Sequence, residues 1–182
     1  TYTIVSDGDI EEGVASEAAS LAGTLRLGKL IALYDDNDIT IEGKASLALT
    51  ENVAERFRAY GWHVIGPVDG MNIAVVDAAI RAAREETDRP TLIVCRTTIG
   101  YGSPNKAGTA AAHGEPLGTE EILQSRKNLD WSHEPFTVPA EVLSHFRHAT
   151  ERGNRWQSEW QEKLEAYRKA YPEEARQLAA DL

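Results

Sequence analysis

This chain of 182 residues is about the size of one domain and is long enough to bury a hydrophobic core of its own. Apolar residues make up 42% and charged residues 26% of it, as in an ordinary soluble globular protein. The net charge is −10 and no basic stripe is visible, which argues against a nucleic-acid-binding surface. Because no signal peptide or membrane-length apolar run is visible, we expect a cytoplasmic protein that binds neither nucleic acid nor membrane.

Apolar runs typical of strands alternate along the chain with segments typical of helices. The predicted strands cover residues 1–6, 30–34, 62–65 and 91–96, and the predicted helices between them cover residues 13–25, 53–60 and 71–87. The first of these helices is rich in small residues, which would let a neighbouring backbone approach it closely. Four strands alternating with helices predict an α/β fold in which a parallel β-sheet is flanked by helices.

A loop rich in glycine, proline and alanine follows the fourth predicted strand, over residues 99–118. Loops of this length inside a compact domain are usually functional or disordered. Beyond the loop the pattern becomes helical. One helix starts at Thr119, with Glu120 and Glu121 in its first turn favoured by the helix dipole. Another covers residues 140–148, and one or two surface helices follow from residue 151 onward, interrupted by Pro172. We therefore predict a partial α/β domain over residues 1–118 and a helical extension over residues 119–182 that packs on the same domain.

The single cysteine, Cys95, excludes an internal disulfide and a zinc site built from cysteines. It lies in the apolar run of the fourth predicted strand, where we expect a buried and inert thiol. Four of the five histidines have structural or surface positions in this interpretation. We expect His63 to be a packed residue of the third strand, and His133, His145 and His148 to be surface residues of the helical extension.

Two polar residues follow neighbouring predicted strands. Asp7 comes directly after the first strand and Asn37 shortly after the second, so both lie where parallel strands end. Open α/β sheets bind their ligands at this edge, and short oxygen-bearing side chains suit a hard cation such as Mg²⁺. Asp7-Gly8 is also a common turn dipeptide, so the residues alone leave a plain turn open as the alternative.

The same residues carry a resemblance to a known family. Asp7-Gly8 followed by Asn37 and Ile39 resembles the thiamine diphosphate signature, with Ser6 in place of the usual first glycine. Further along, residues 100–114, which read GYGSPNKAGTAAAHG, closely resemble transketolase. The resemblance extends from Thr1 to the C-terminus. It implies a partial thiamine-diphosphate-binding fold, namely the C-terminal half of the N-terminal pyrophosphate-binding domain of a transketolase.

The resemblance also implies roles for individual residues. Asp7, Asn37 and the backbone carbonyl of Ile39 would bind Mg²⁺, and two diphosphate oxygens and a water would complete its six ligands. Gly8 would let the diphosphate approach the backbone. His113 would contact both cofactor and substrate and so have a catalytic role, although a lone loop histidine is by itself more often a surface residue.

Two glutamates near the first helix have two possible roles. From the residues alone, Glu12 and Glu17 interact favourably with the helix dipole. The resemblance implies instead that they belong to a hydrogen-bonded network at a dimer interface, linking two active sites. Lys106 in the glycine-rich loop is expected to anchor that loop.

The activity implied by the resemblance is transfer of a two-carbon ketol unit between sugar phosphates, as in the pentose phosphate pathway. It would require thiamine diphosphate and Mg²⁺, and this chain would supply the diphosphate and Mg²⁺ half-site. We expect an active enzyme only when the remaining transketolase domains or chains complete it, as a homodimer of the assembled unit. The alternatives are a related enzyme, such as dihydroxyacetone synthase or deoxyxylulose-phosphate synthase, or a non-catalytic partner or regulatory subunit with the same fold.

Overall fold

A computed structural model describes residues 1–181 of the chain, and Leu182 lies outside the described residues. Two compact units are present, the first comprising Thr1–Trp131 and the second beginning at Ser132. The helix that follows the glycine-rich loop belongs to the first unit. The domain boundary at residue 118 and the packing of the extension on the first domain stay predictions.

The first unit is built on a four-stranded parallel sheet, which confirms the predicted fold class. Its strands are β1 (Tyr2–Ser6), β2 (Ile31–Asp36), β5 (His63–Asp69) and β6 (Thr91–Arg96), in the order β1-β2-β6-β5, and β3 (Ile39–Thr40) with β4 (Gly43–Lys44) forms a small antiparallel hairpin. β2 and β6 are central, and each pairs in parallel with its neighbours. β1 lies at one edge, where Tyr2 and Ile4 are 56% and 75% exposed.

The helices follow the predicted order along the chain, with two differences. They are α1 (Asp7–Glu11), α2 (Gly13–Thr24), α3 (Val53–Ala59), α4 (Ile73–Glu85), α5 (Thr119–Asn128), α6 (Ala140–Ala170) and α7 (Pro172–Asp181). A short helix, α1, occupies the stretch directly after β1. The two helices expected around residue 150 form one helix, α6, because Gly153 costs a long helix only about 1 kcal/mol. Pro172 starts α7, where its missing N–H is not needed.

β5 is longer than the sequence suggests. It continues through Gly66 and Pro67, beyond the predicted end at residue 65, with an irregularity in its pairing between Ile65 and Val68. Because β5 is an edge strand, a proline can be accommodated there without breaking an interior ladder.

Hydrophobic residues cover both faces of the sheet, because side chains alternate along β2 and β6. One face packs α1, α2 and α3 through Ile10, Ala19, Ala22, Ala32, Tyr34, Val53, Phe57, Trp62, Leu92 and Val94, and the other packs α4 through Ile31, Ala79, Ala83, Ile93 and Cys95. The small residues of α2 do allow a close approach: a Cβ on Gly23 would lie 1.8 Å from the Tyr60 carbonyl oxygen. Within residues 1–181, no helix combines the length and apolarity needed to cross a membrane.

Candidate functional site

β1, β2 and β6 are parallel neighbours, so their carboxyl ends share one edge of the sheet. Residues immediately after these ends, on α1, on the turn after β2 and on the loop after β6, form the candidate site. Ser6 closes the first of these connections, because its backbone N–H and its hydroxyl both donate to Asp9 Oδ2 at 2.8 Å. The serine that replaces the family's glycine therefore stabilises the first turn of α1.

Asp7 is a buried carboxylate with one unsatisfied oxygen. Only 2% of the residue is exposed, and its Oδ1 accepts a hydrogen bond from the Tyr34 hydroxyl. Burial, followed by the hydrogen bond and charge of Asp7, raises the pKa of Tyr34, so the phenol stays a donor. Asp7 Oδ2 has no hydrogen-bond partner. A buried oxygen without a partner is costly, so this atom fits a group that binds here, and a cation is the natural counterpart of a carboxylate.

Asn37 is held in a fixed orientation by its neighbours. Its Nδ2 donates to Asp35 Oδ2 at 3.0 Å, and its Oδ1 accepts from the Ile39 N–H at 3.0 Å. The other carboxylate oxygen of Asp35 accepts from the Thr97 hydroxyl on the neighbouring connection. Because the amide nitrogen is committed to Asp35, the amide oxygen is the atom that remains available, through its second lone pair, to a metal.

The predicted cofactor residues are distributed between two cavities. Gly8, Asn37, Ile39 and His113 line one cavity of about 690 Å³. Asp7 lines a second cavity, of about 460 Å³. The structure thus brings four of the five residues together, and the fifth is bonded directly to Gly8 along the chain. A Cβ on Gly8 would meet no atom within 4 Å, so the backbone here leaves space that a ligand could fill.

The glutamates predicted for an interface are both exposed. Glu12 lies between α1 and α2 and lines the same cavity as His113, whereas Glu17 lies on α2. Across residues 1–181, no group of three or more histidine, cysteine, aspartate or glutamate side chains is arranged to hold a metal ion. A metal bound by one carboxylate, one amide and one carbonyl oxygen would therefore have to draw its other ligands from water and from a bound cofactor.

The surroundings of the site are acidic. Four aspartates are close enough here to affect one another: Asp7, Asp35 and Asp38 all act on Asp36. Burial raises the pKa of Asp36, the charges of these three carboxylates raise it further, and the charge of Arg96 lowers it. Arg96 Nε lies 3.1 Å from Asp36 Oδ2. Arg58 also lines the cavity that contains Asp7, but two arginines do not neutralise this set of carboxylates, so a cation would favour the binding of an anionic diphosphate here.

The glycine-rich loop brings His113 to the same edge. His113 is half-buried and follows a short 3₁₀ turn, Ala110–Ala112, with its N–H donating to the Ala110 carbonyl at 2.9 Å. The start of the loop packs against its end, since a Cβ on Gly100 would lie 2.7 Å from Ala112 Cβ. Lys106 anchors the loop as expected: its Nζ donates to the Pro116 carbonyl at 3.1 Å.

The structure also shows residues that sequence reasoning missed. Tyr34 holds Asp7, and Asp35, itself held by Thr97, holds Asn37, so these residues fix the two predicted side-chain ligands of the metal. Glu121 on α5 accepts hydrogen bonds from the glycine-rich loop. For Tyr34, Asp35 and Thr97, the available signal in the sequence was a position at the end of a strand or directly after one. Cys95 and His63 have the structural positions expected for them, because Cys95 is buried and His63 Nδ1 lies 3.2 Å from Thr91 Oγ1. His145 and His148 are exposed, whereas His133 is half-buried.

Known proteins match this chain in sequence over nearly its whole length. Residues 1–182 match the family described as "Transketolase, thiamine diphosphate binding domain". The transketolase of Nostoc sp. is 52% identical over 96% of this chain, and transketolase 1 of Escherichia coli is 50% identical over 96%. In both comparisons the chain spans 26% of the relative's length.

Solved structures give the same result. A Pichia stipitis transketolase mutant in complex with xylulose 5-phosphate superposes with a TM-score of 0.89 and 41% identity, over 98% of this chain and 27% of that chain. The transketolase of Leishmania mexicana superposes with a TM-score of 0.88 and 38% identity, over 99% of this chain and 27% of that chain. The similarity therefore extends over nearly all of this chain in sequence and in fold.

Proposed function

Since this chain belongs to the transketolase family, over its thiamine diphosphate binding domain, we propose that it holds the diphosphate of that cofactor together with Mg²⁺ in a complete transketolase. The observation that carries the proposal is the buried Asp7 carboxylate, whose Oδ2 has no partner. When bound, thiamine diphosphate would supply the carbanion stabilisation that ketol transfer requires, and the protein would supply binding and orientation.

Asp7, Asn37 and the Ile39 carbonyl are the residues that would hold the metal. Their oxygen atoms are hard ligands of the kind Mg²⁺ prefers, and an octahedral ion would keep positions for diphosphate and water. The acidic surroundings support a cation here, because Asp35, Asp36 and Asp38 would otherwise repel a diphosphate. The open space beside Gly8 supports close approach of the diphosphate to the backbone.

His113 would donate a hydrogen bond to the diphosphate or to a sugar oxygen, because a half-buried imidazole lines the cavity that also contains Asn37. Sugar phosphates are the proposed substrates, and the xylulose 5-phosphate complex of the Pichia stipitis relative supports that class. We further propose a homodimer in which Glu12 and Glu17 meet a second copy of the protein, since both are exposed and Glu12 lines the cavity of the site. Location in the cytoplasm and a place in the pentose phosphate pathway remain proposals that follow from the same family membership.

The alternative roles receive less support. The compared relatives are named transketolases, not dihydroxyacetone or deoxyxylulose-phosphate synthases, and they do not favour a non-catalytic subunit. Because the chain spans about a quarter of those relatives, activity is proposed only for the protein completed by the remaining segments.

The substitution Asp7→Asn tests the proposal in the full-length protein. It removes the charge while keeping an acceptor for the Tyr34 hydroxyl, so the fold should survive. Calorimetry should show that Mg²⁺-dependent binding of thiamine diphosphate weakens by about 100-fold or more, because changing a residue that only supports a metal ligand already costs up to about 100-fold. Asp77→Ala is the control, because Asp77 is an exposed partner of Arg81 on α4. Equal cofactor affinity in Asp7→Asn and wild type would refute the assignment.

A further inference from the structure

Two side chains of helix α5 hold the glycine-rich loop: Glu121 accepts three hydrogen bonds from it, and Asn128 Nδ2 donates to the Gly102 carbonyl at 2.9 Å. Glu121 Oε1 accepts hydrogen bonds from the Ser103 hydroxyl and from the Asn105 N–H at 2.8 Å, and Oε2 accepts from Asn105 Nδ2 at 2.9 Å. Ser103 is only 5% exposed, although it lies in a loop. Both oxygens of Glu121 are therefore used by donors that lie 16 and 18 residues earlier in the chain.

The position of Glu121 in the first turn of α5 does not explain these contacts. An acidic residue there is favoured by the helix dipole whatever the loop does. Glu120, the preceding residue of the same turn, is equally placed for the dipole, yet it is exposed and takes no part in this set of hydrogen bonds. The three donors from the loop are thus specific to Glu121, and they lower the pKa of Glu121 to about 2.

The held segment leads directly to the catalytic candidate. The Ser103 hydroxyl, besides donating to Glu121, accepts from the Lys106 N–H at 3.2 Å. The Lys106 carbonyl in turn accepts from the Thr109 hydroxyl at 2.7 Å and from its N–H at 3.2 Å. The Thr109 carbonyl accepts from the Ala112 N–H at 3.1 Å, one residue before His113. A continuous series of short-range turns therefore connects the Glu121 carboxylate to the backbone of the residue that precedes His113.

We propose that Glu121 is a positioning residue for the cofactor site, holding residues 103–109 so that His113 stays in the cavity lined by Gly8 and Asn37. This inference rests on the proposed function of that cavity. Its chemical basis is that a carboxylate only accepts hydrogen bonds, so it satisfies three donors at once. A glutamine would place an N–H₂ group against one of them, most directly against the Asn105 side chain.

The test compares Glu121→Gln with Glu120→Gln in the full-length protein. Without cofactor, mass spectrometry should show amide exchange of residues 103–109 that is about 10-fold faster in Glu121→Gln, and a changed exchange rate of the His113 C2 proton. With saturating Mg²⁺, thiamine diphosphate should bind about 10-fold more weakly, because a hydrogen bond to a charged group is typically worth a factor of about 10 or more. Glu120→Gln removes the same charge from the same helical turn, but Glu120 makes no hydrogen bond to the loop. This control should therefore match wild type in all three measurements.

A second variant makes the test independent of how Glu121→Gln folds. Asn105→Ala removes the side-chain donor from the other side of the same contact. In the double variant, the effects of Asn105→Ala and Glu121→Gln on the amide exchange of residues 103–109 should therefore be less than additive. Full additivity would overturn the proposal.

Two further outcomes separate this inference from the proposed function. Faster loop exchange with unchanged His113 exchange and unchanged cofactor affinity would overturn the inference, because Glu121 would then only be structural. If wild type bound no thiamine diphosphate, the proposed function would fail, and the cofactor-free His113 measurement would still decide the inference: a changed rate supports positioning by Glu121, and an unchanged rate overturns it.

Discussion

Thr97→Val tests how the protein orients Asn37 for the metal. The substitution is nearly isosteric and removes the hydroxyl that donates to Asp35 Oδ1, while the other carboxylate oxygen still holds Asn37 Nδ2 at 3.0 Å. Asp35 would then be fixed from one side only and could rotate. Because Asp35 sets the direction of the Asn37 amide, the amide oxygen should lose its fixed position at the metal.

The expected magnitude follows from the kind of bond that is lost. A hydrogen bond from a hydroxyl to a carboxylate contributes about 1.5–3 kcal/mol when buried. Thr97 and Asp35 are only half-buried, so we expect the lower end, about 1.5 kcal/mol. If most of this free energy is lost from metal binding, Mg²⁺ affinity should fall by about 10-fold, within the range found when residues that orient metal ligands are changed.

The assay is titration of Mg²⁺ into full-length protein at a saturating concentration of thiamine diphosphate. Thr98→Val is the matched control, because Thr98 is the next residue along the chain and is exposed. It should bind Mg²⁺ like wild type. Equal Mg²⁺ affinity in Thr97→Val and Thr98→Val would refute the reasoning, since Asn37 would then not depend on the Asp35–Thr97 contact.

Three further predictions concern other groups around the site. Tyr34→Phe leaves Asp7 Oδ1 without its donor, so the free energy of unfolding measured in urea without metal should fall by about 2 kcal/mol. Saturating Mg²⁺ should reduce that loss of stability. A loss unaffected by Mg²⁺ would argue against Asp7 as a ligand. His113→Ala should lower kcat more than it weakens cofactor binding, and unaltered turnover in steady-state kinetics would make His113 a surface residue. The pKa of Glu121 is lowered from 4.5 to about 2, so its stabilisation of the loop is complete above pH 4.5 and is lost as the pH falls towards 2; a transition of the Asn105 amide signal centred near pH 4.5 in NMR would contradict this.

The alternation of strands and helices was predictable because it depends on local patterns. The fourth strand, for example, contains the apolar run of residues 92–95, and its first five residues are all buried in the sheet. The predicted ligands Asp7 and Asn37 follow strands directly, so their placement at one edge needed only the parallel topology. The small-residue pattern of α2 likewise predicted a close approach, which Gly23 makes to Tyr60.

The supporting contacts could not be predicted, because they join residues far apart in the chain. Thr97 and Asp35 are separated by 62 residues, and Tyr34 and Asp7 by 27. No periodicity links such pairs, since they meet only after β1, β2 and β6 have assembled. Glu121 shows a related difficulty: a favourable helix dipole is a sufficient reason for an acidic residue at that position, and it conceals the contact with the loop.

Locating the metal tests the central claim most directly. Mn²⁺ should replace Mg²⁺ in crystals of the full-length protein grown with thiamine diphosphate, and its anomalous scattering would locate the ion without interpretation of the surrounding density. We expect one Mn²⁺ bound by Asp7 Oδ2, Asn37 Oδ1 and the Ile39 carbonyl oxygen, at distances of roughly 2.0–2.3 Å, close to those typical of hard divalent cations. An ion bound elsewhere, or bound without Asp7, would contradict the claim.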